Sequence, residues 1–168
     1  MGVSAQKTKT NVAIATWEWP AYFDPKLKAE GIKLNISKWR RPAPNTIPWD
    51  AKAAGLYMIC TLSKHEAEQQ GFSESLMLDF EGNVAEGTSA NIFFKDKNND
   101  LHTPIADSFL NGITRQAVIE LAKSKSIKVY ERKISPEELN NFEGSFLTFL
   151  TGTAAEITPV ASIAEHKY

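Results

Sequence analysis

Apolar and polar positions alternate most clearly over 32–39, where Ile32, Leu34 and Ile36 stand against Lys33, Asn35 and Ser37. That alternation predicts a strand with one buried face. A weaker alternation over 12–17 predicts another strand, and the aromatic-dense stretch 17–23, broken by Pro20, predicts a loop or strand end. Pro42, Pro44 and Pro48 forbid regular structure up to Trp49. The period then changes: Ala53, Leu56, Tyr57 and Cys60 fall at i, i+3, i+4 and i+7. They predict a helix opening at an Asp50 N-cap and running to Gln70, where Gly71 stops it. Strands are predicted over 75–80 and 91–95, with turns at 81–83 and 98–100. A second amphipathic helix, 114–125, sets Ala117, Val118, Leu121 and Ala122 on one side. The segment 127–134 alternates as a strand, and Ser135-Pro136-Glu137-Glu138 is a capping box with proline at the first helical position. Strands over 145–150 and 156–163 close the series. Strands and helices mix without strict βαβ alternation, which makes the class α+β.

Composition narrows the function classes. The chain has 168 residues, enough for one domain with a real core, and 19 basic against 20 acidic side chains. Near-neutrality leaves no electrostatic footprint for a nucleic-acid backbone. The apolar runs are too short to span a bilayer, so no membrane partner is expected. The single cysteine, Cys60, can form no intrachain disulfide and sits in an apolar run, as a buried small hydrophobe would. A reduced, cytoplasmic setting is the expectation. His65, His102 and His166 lack metal-ligand spacing, so no metal site is expected.

Candidate chemistry begins at Lys52, between Ala51 and Ala53-Ala54-Gly55. Small neighbours leave space around its amine and would help desolvate it, as a Schiff-base lysine requires. Most lysines in a first helical turn are simply solvated, and the local pattern alone assigns Lys52 no role. Leu110-Asn111-Gly112-Ile113-Thr114 places a glycine before a helix N-terminus, where free amides and the dipole suit phosphate, although ordinary capping looks the same. Thr151-Gly152-Thr153-Ala154 either brings backbone amides to a ligand or makes a tight turn. Glu86 beside Gly87 is either a solvated turn acid or a buried acid holding a cation such as a protonated pyridine nitrogen. Together these fit a phosphate-bearing aldehyde cofactor, and other phosphorylated ligands as well.

Taken as a whole, the string resembles the branched-chain amino acid aminotransferases, pyridoxal-phosphate (PLP) enzymes of fold type IV. The resemblance runs in order through Trp39-Arg40-Arg41-Pro42-Ala43-Pro44-Asn45-Thr46-Ile47-Pro48, Ala51-Lys52-Ala53-Ala54-Gly55-Leu56-Tyr57, Glu86-Gly87, Asn91-Ile92-Phe93, Gly112-Ile113-Thr114-Arg115 and Thr151-Gly152-Thr153-Ala154-Ala155-Glu156. It implies a mixed-sheet pseudo-barrel with flanking helices, the large domain of that fold. It implies Lys52 as the Schiff-base lysine and proton shuttle, Glu86 on the pyridine nitrogen, and Tyr57 on the phenolic oxygen. Ile113, Thr114 and Thr153 would hold the phosphate, and Leu110 would pack on the ring. Thr153 and Ala154 would also meet the substrate carboxylate, with Trp19 and Tyr22 as the aromatic wall for an aliphatic side chain. The implied reaction is ping-pong transfer of an amino group from Leu, Ile or Val to 2-oxoglutarate. The D-amino acid aminotransferases and aminodeoxychorismate lyases share the fold and remain alternatives, as does a non-catalytic PLP-binding module needing a partner chain. The resemblance also implies that residues 1–168 form one cofactor-binding domain, a fragment without the family's smaller N-terminal domain and C-terminal segment. The full-length family implies homodimers.

Overall fold

The computed structural model describes residues 3–144 and 147–168. Its element order is α1 (Pro25–Glu30), β1 (Ile32–Arg40), a 3-10 turn (Ala54–Tyr57), α2 (Met58–Gln69), β2 (Glu74–Leu78), β3 (Val84–Gly87), β4 (Asn91–Lys95) and β5 (Leu101–Thr103). There follow α3 (Ile113–Ser124), β6 (Val129–Glu131), a 3-10 segment (Pro136–Phe142), β7 (Thr148–Gly152), β8 (Glu156–Ile163) and β9 (His166–Lys167). The strands form one mixed sheet in the order β3-β2-β1-β8-β7-β4-β5-β6, with β9 paired to β8. The pairs β1–β2, β1–β8 and β5–β6 are parallel, and the other pairs are antiparallel. The sheet curls until edge strand β3 lies against β4, and in the short turn that joins them the Gly87 amide donates to the Ala90 carbonyl at 2.8 Å. The α+β class and mixed sheet are as expected; the pseudo-barrel with flanking helices that the resemblance implies is here a curled half-barrel with few helices.

Period-two alternation divides the core. On β4, Ile92 and Phe94 face the inside of the curl, with Leu34, Leu76, Leu150 and Ile163. Phe93 faces the other way, toward Ile119 and Ala122 of α3. It stacks on its register partner Phe149 with centroids 5.2 Å apart. Helix α2 packs on β1 and β2 through Cys60, Ser63 and Ala67, and the Ser63 and Ser37 hydroxyls lie 2.7 Å apart. Gly31 carries φ +83 between α1 and β1, and a Cβ there would stand 2.9 Å from the Ala161 amide nitrogen. Glycine is therefore required on two grounds.

Several sequence expectations need correction. Residues 12–17 form no strand, and Val12 and Ile14 are exposed. The helix predicted from Asp50 begins later, because nothing before Leu56 has a core to pack on, and Asp50 caps no helix. On α3 the buried residues are Arg115, Ile119 and Ala122, with Val118 half-buried, whereas Ala117 and Leu121 are exposed. The predicted strand over 127–134 shortens to β6. Of the strand predicted over 145–150, Ser145 and Phe146 lie outside the described residues, and β7 starts at Thr148. Strands β3, β5 and β9 and helix α1 were not predicted, although Asp24-Pro25 is a capping signature, and the Asp24 carboxylate accepts from the Lys26 amide at 2.8 Å.

Arg115 shows why a charged residue can head a buried helical face. It is 1 % exposed and donates to Asn111 Oδ1 at 2.8 Å, the Pro104 carbonyl at 2.9 Å and Glu131 Oε2 at 2.9 Å, with a longer bond to Thr103 Oγ1. These bonds fasten α3 to the β5–α3 connection and to β6. Arg115→Met should keep the stem's volume but destabilise the fold by about 3 kcal/mol, because it strips several charged hydrogen bonds. Urea unfolding midpoints of the two chains measure this.

Candidate active site

Two cavities adjoin one another. The first, about 310 Å³, is bounded by the loop before α2, by β3, by the turn into α3 and by the end of β7. Lys52, Tyr57, Glu86, Leu110, Ile113, Thr114 and Thr153 all line it. Trp19, Tyr22 and Ala154 line the second cavity instead, also about 310 Å³. Thr153 is the one residue common to both linings.

Lys52 reaches the first cavity from an extended stretch ahead of the 3-10 turn, not from a first helical turn. It is exposed, so its alanine neighbours leave it in water rather than desolvating it. Tyr57 is half-buried, and its phenol is pushed up by burial and by the nearby Glu86 carboxylate, so it stays a proton donor. Gly112 is the N-cap of α3, as the glycine-before-helix pattern predicts, and the amides of Ile113 and Thr114 have no intrahelical acceptors. Residues 153–155 make the tight turn between β7 and β8.

Glu86 sits on β3, a strand buried along its length. It is not a solvated turn acid. Burial pushes its carboxyl up to about 8; Arg41 pulls in the opposite sense, and the buried Glu74 adds to the rise. The Arg41 pair is loose: Nε stands 3.5 Å from Glu86 Oε1 and also donates to the Ser108 carbonyl at 3.3 Å. Arg41 Nη1 points at Cys60 Sγ, 3.3 Å away. Burial pushes that thiol up against the pull of Arg41, so Cys60 is the inert buried residue expected. A second network lies behind the first. The fully buried Glu74 accepts from Thr88 Oγ1 at 2.5 Å and Ser89 Oγ at 3.3 Å, and Tyr22 donates to Ser89 at 2.9 Å.

Sequence reasoning missed Arg41 and Asn91. Both belong to motifs quoted for the resemblance, but their roles come from contacts that cross the fold. Asn91 donates to Glu86 and accepts from Gly112. The cavity also holds a hydroxyl, Thr151 Oγ1, that is buried without a partner among the described residues. A buried acid, a helix N-terminus, an exposed amine and an unpaired hydroxyl around one cavity suit an elongated ligand that is cationic at one end and anionic at the other.

Comparisons with known proteins agree on one family. The model for amino-transferase class IV matches residues 2–163. The "Probable branched-chain-amino-acid aminotransferase" of Rickettsia bellii (strain RML369-C) is 44% identical over 157 residues, covering 94% of this chain and 52% of that protein. The solved branched-chain amino acid aminotransferase from Escherichia coli superposes with a TM-score of 0.76 at 42% identity, over 82% of this chain and 46% of that one. The branched-chain amino acid aminotransferase from Thermobaculum terrenum, solved in its PLP-form, gives 0.73 at 37% identity, over 82% and 44%. The chain thus spans about half the length of the curated relatives it matches.

The raised Glu86 carboxyl has a consequence for stability. The native state keeps a proton that the unfolded chain has released, so stability falls as pH rises from the ordinary carboxyl range to about 8, then levels off. The slope for one proton is at most about 1.4 kcal/mol per pH unit. Glu86→Gln should flatten this dependence in the ligand-free chain, leaving the two proteins equally stable near pH 5 and the variant more stable near pH 9. Thermal unfolding across that range measures the difference.

Proposed function

The chain belongs to the amino-transferase class IV family, and on that premise we propose that it is the cofactor-holding domain of a branched-chain amino acid aminotransferase. The observation that carries the reading is the gathering of Lys52, Tyr57, Glu86 and the α3 N-terminus around one cavity. Its residues fit PLP. Glu86 is a buried carboxyl that a pyridinium cation would return to its ionised form, and the Ile113 and Thr114 amides with Thr153 suit the phosphate. When bound, PLP would supply an electron-withdrawing pyridine ring and an aldehyde carbon able to accept the substrate's amino group in place of its oxygen.

The chain's own residues supply the rest. Lys52 Nζ is the amine that attaches the cofactor and then carries a proton to and from the substrate α-carbon. Glu86 holds the pyridine nitrogen protonated, and Tyr57 donates its hydroxyl proton to the cofactor's phenolic oxygen. Leu110 packs on the ring. The second cavity takes the substrate: Thr153 and Ala154 amides meet the carboxylate, while Trp19 and Tyr22 form the wall for the side chain of Leu, Ile or Val. Transfer to 2-oxoglutarate by the ping-pong route completes the reading, with the full-length protein acting as a homodimer.

Titrating the purified chain with PLP, reducing with borohydride and mapping the peptides tests this. A pyridoxyl group on Lys52, lost in Lys52→Ala, is the expected result. Labelling scattered over surface lysines, or unchanged in Lys52→Ala, overturns it. Glu86→Ala should weaken PLP binding by about tenfold or more through loss of a charged hydrogen bond.

A further inference from the structure

Asn91 opens β4 and lines the first cavity, 4 % exposed. Its side-chain amide is engaged on both sides. Nδ2 donates to the Leu110 carbonyl at 2.9 Å and to Glu86 Oε2 at 3.3 Å, and Oδ1 accepts from the Gly112 amide at 3.1 Å. One side chain therefore joins strand β3 to the turn that opens helix α3. Gly112 bears the mark of the same contact. Its backbone, φ −60 and ψ 143, is open to any residue, yet a Cβ there would lie 2.4 Å from Asn91 Oδ1. Glycine at this position is imposed by Asn91, not by the turn.

We infer that Asn91 is a positioning residue whose amide brackets the two ends of the cofactor site, setting Glu86 at a fixed offset from the amides at the start of α3. This rests on the PLP reading above. A ligand with a cationic ring nitrogen at one end and a phosphate at the other needs both of its holders in register, and the bracket is the direct link between them. Misregister then shows only when both ends are occupied. Pyridoxal, which lacks the phosphate, engages one end and is indifferent to the offset.

The test compares Asn91→Ala, Gly112→Ala and the double variant with the unsubstituted chain. Each single variant should bind PLP about tenfold more weakly, as loss of a few buried hydrogen bonds implies, and bind pyridoxal nearly as before. In the double variant the alanine Cβ enters the space that Asn91 leaves, so its PLP affinity should match Asn91→Ala alone. Additive losses, or equal losses for PLP and pyridoxal, overturn the bracket. The ligand-free chain gives a second readout: Asn91→Ala should speed hydrogen exchange at the Gly112 amide about tenfold, while amides from Gln116 onward keep their protection. Unchanged Gly112 exchange overturns the proposal, and so does loss of protection throughout α3. Asn91→Asp, which keeps the acceptor for Gly112 but sets a carboxylate against Glu86, should keep slow Gly112 exchange and still lose PLP affinity. An unsubstituted chain that takes no PLP at Lys52 refutes the cofactor reading; one that takes it, with variants binding equally well, refutes the bracket alone.

Discussion

A carboxyl group taken out of water must meet a cation or keep its proton, and Glu86 is held where that choice is forced. The curl of the sheet brings edge strand β3 round to β4 and buries the strand along its length. Arg41 approaches from the end of β1 but divides its guanidinium among Glu86, Ser108 and Cys60. Glu74, deeper in the sheet, adds a like charge. The result is an acid poised near neutrality in the buried wall of a cavity, and a cationic ring nitrogen there would find a partner that water competes for poorly.

The opposite wall depends on how α3 is seated. Its apolar contact is modest: Ile119 and Ala122 against Phe93 and Phe149. The buried Arg115 supplies the remaining definition, since a guanidinium with a fixed fork fits only one placement of its acceptors. Orientation matters here more than affinity for the sheet, because the helix offers its first-turn amides to the cavity, and amides a small rotation away would face solvent.

How much of this was legible varies by element. Strands β4 and β8 have the predicted limits, and β1 extends the prediction by one residue, because clear apolar signals bounded by turn residues leave few alternatives. Strand β3 escaped notice because four residues ending in glycine carry too little pattern. The face of α3 was misread because hydropathy counts Arg115 as polar, whereas the fold satisfies its donors and leaves Leu121 at the surface. In the site, local pattern could not separate a solvated Lys52 from a reactive one, and Lys52 is indeed exposed. The agreement of many ordered motifs, each weak alone, singled out the residues that line the first cavity. Arg41 and Asn91 lay in plain view within those motifs. Nothing local marks them, since their partners are as far away in sequence as Ser108 and Gly112.

The two cavities share Thr153 and otherwise draw on different residues: the second on 19–23, Lys28, 154–156 and Thr158, the first on the strands and turns around Glu86 and on Thr151 and Gly152. Apart from that wall, the Tyr22–Ser89 hydrogen bond links the two linings. Such an arrangement is modular in the evolutionary sense. Substitutions in the aromatic stretch 19–21 would reshape the second cavity without touching the lining of the first, whereas a change at Thr153 in the β7–β8 turn would alter both. A lineage could thus alter the shape of one cavity while leaving most of the other's lining as it is.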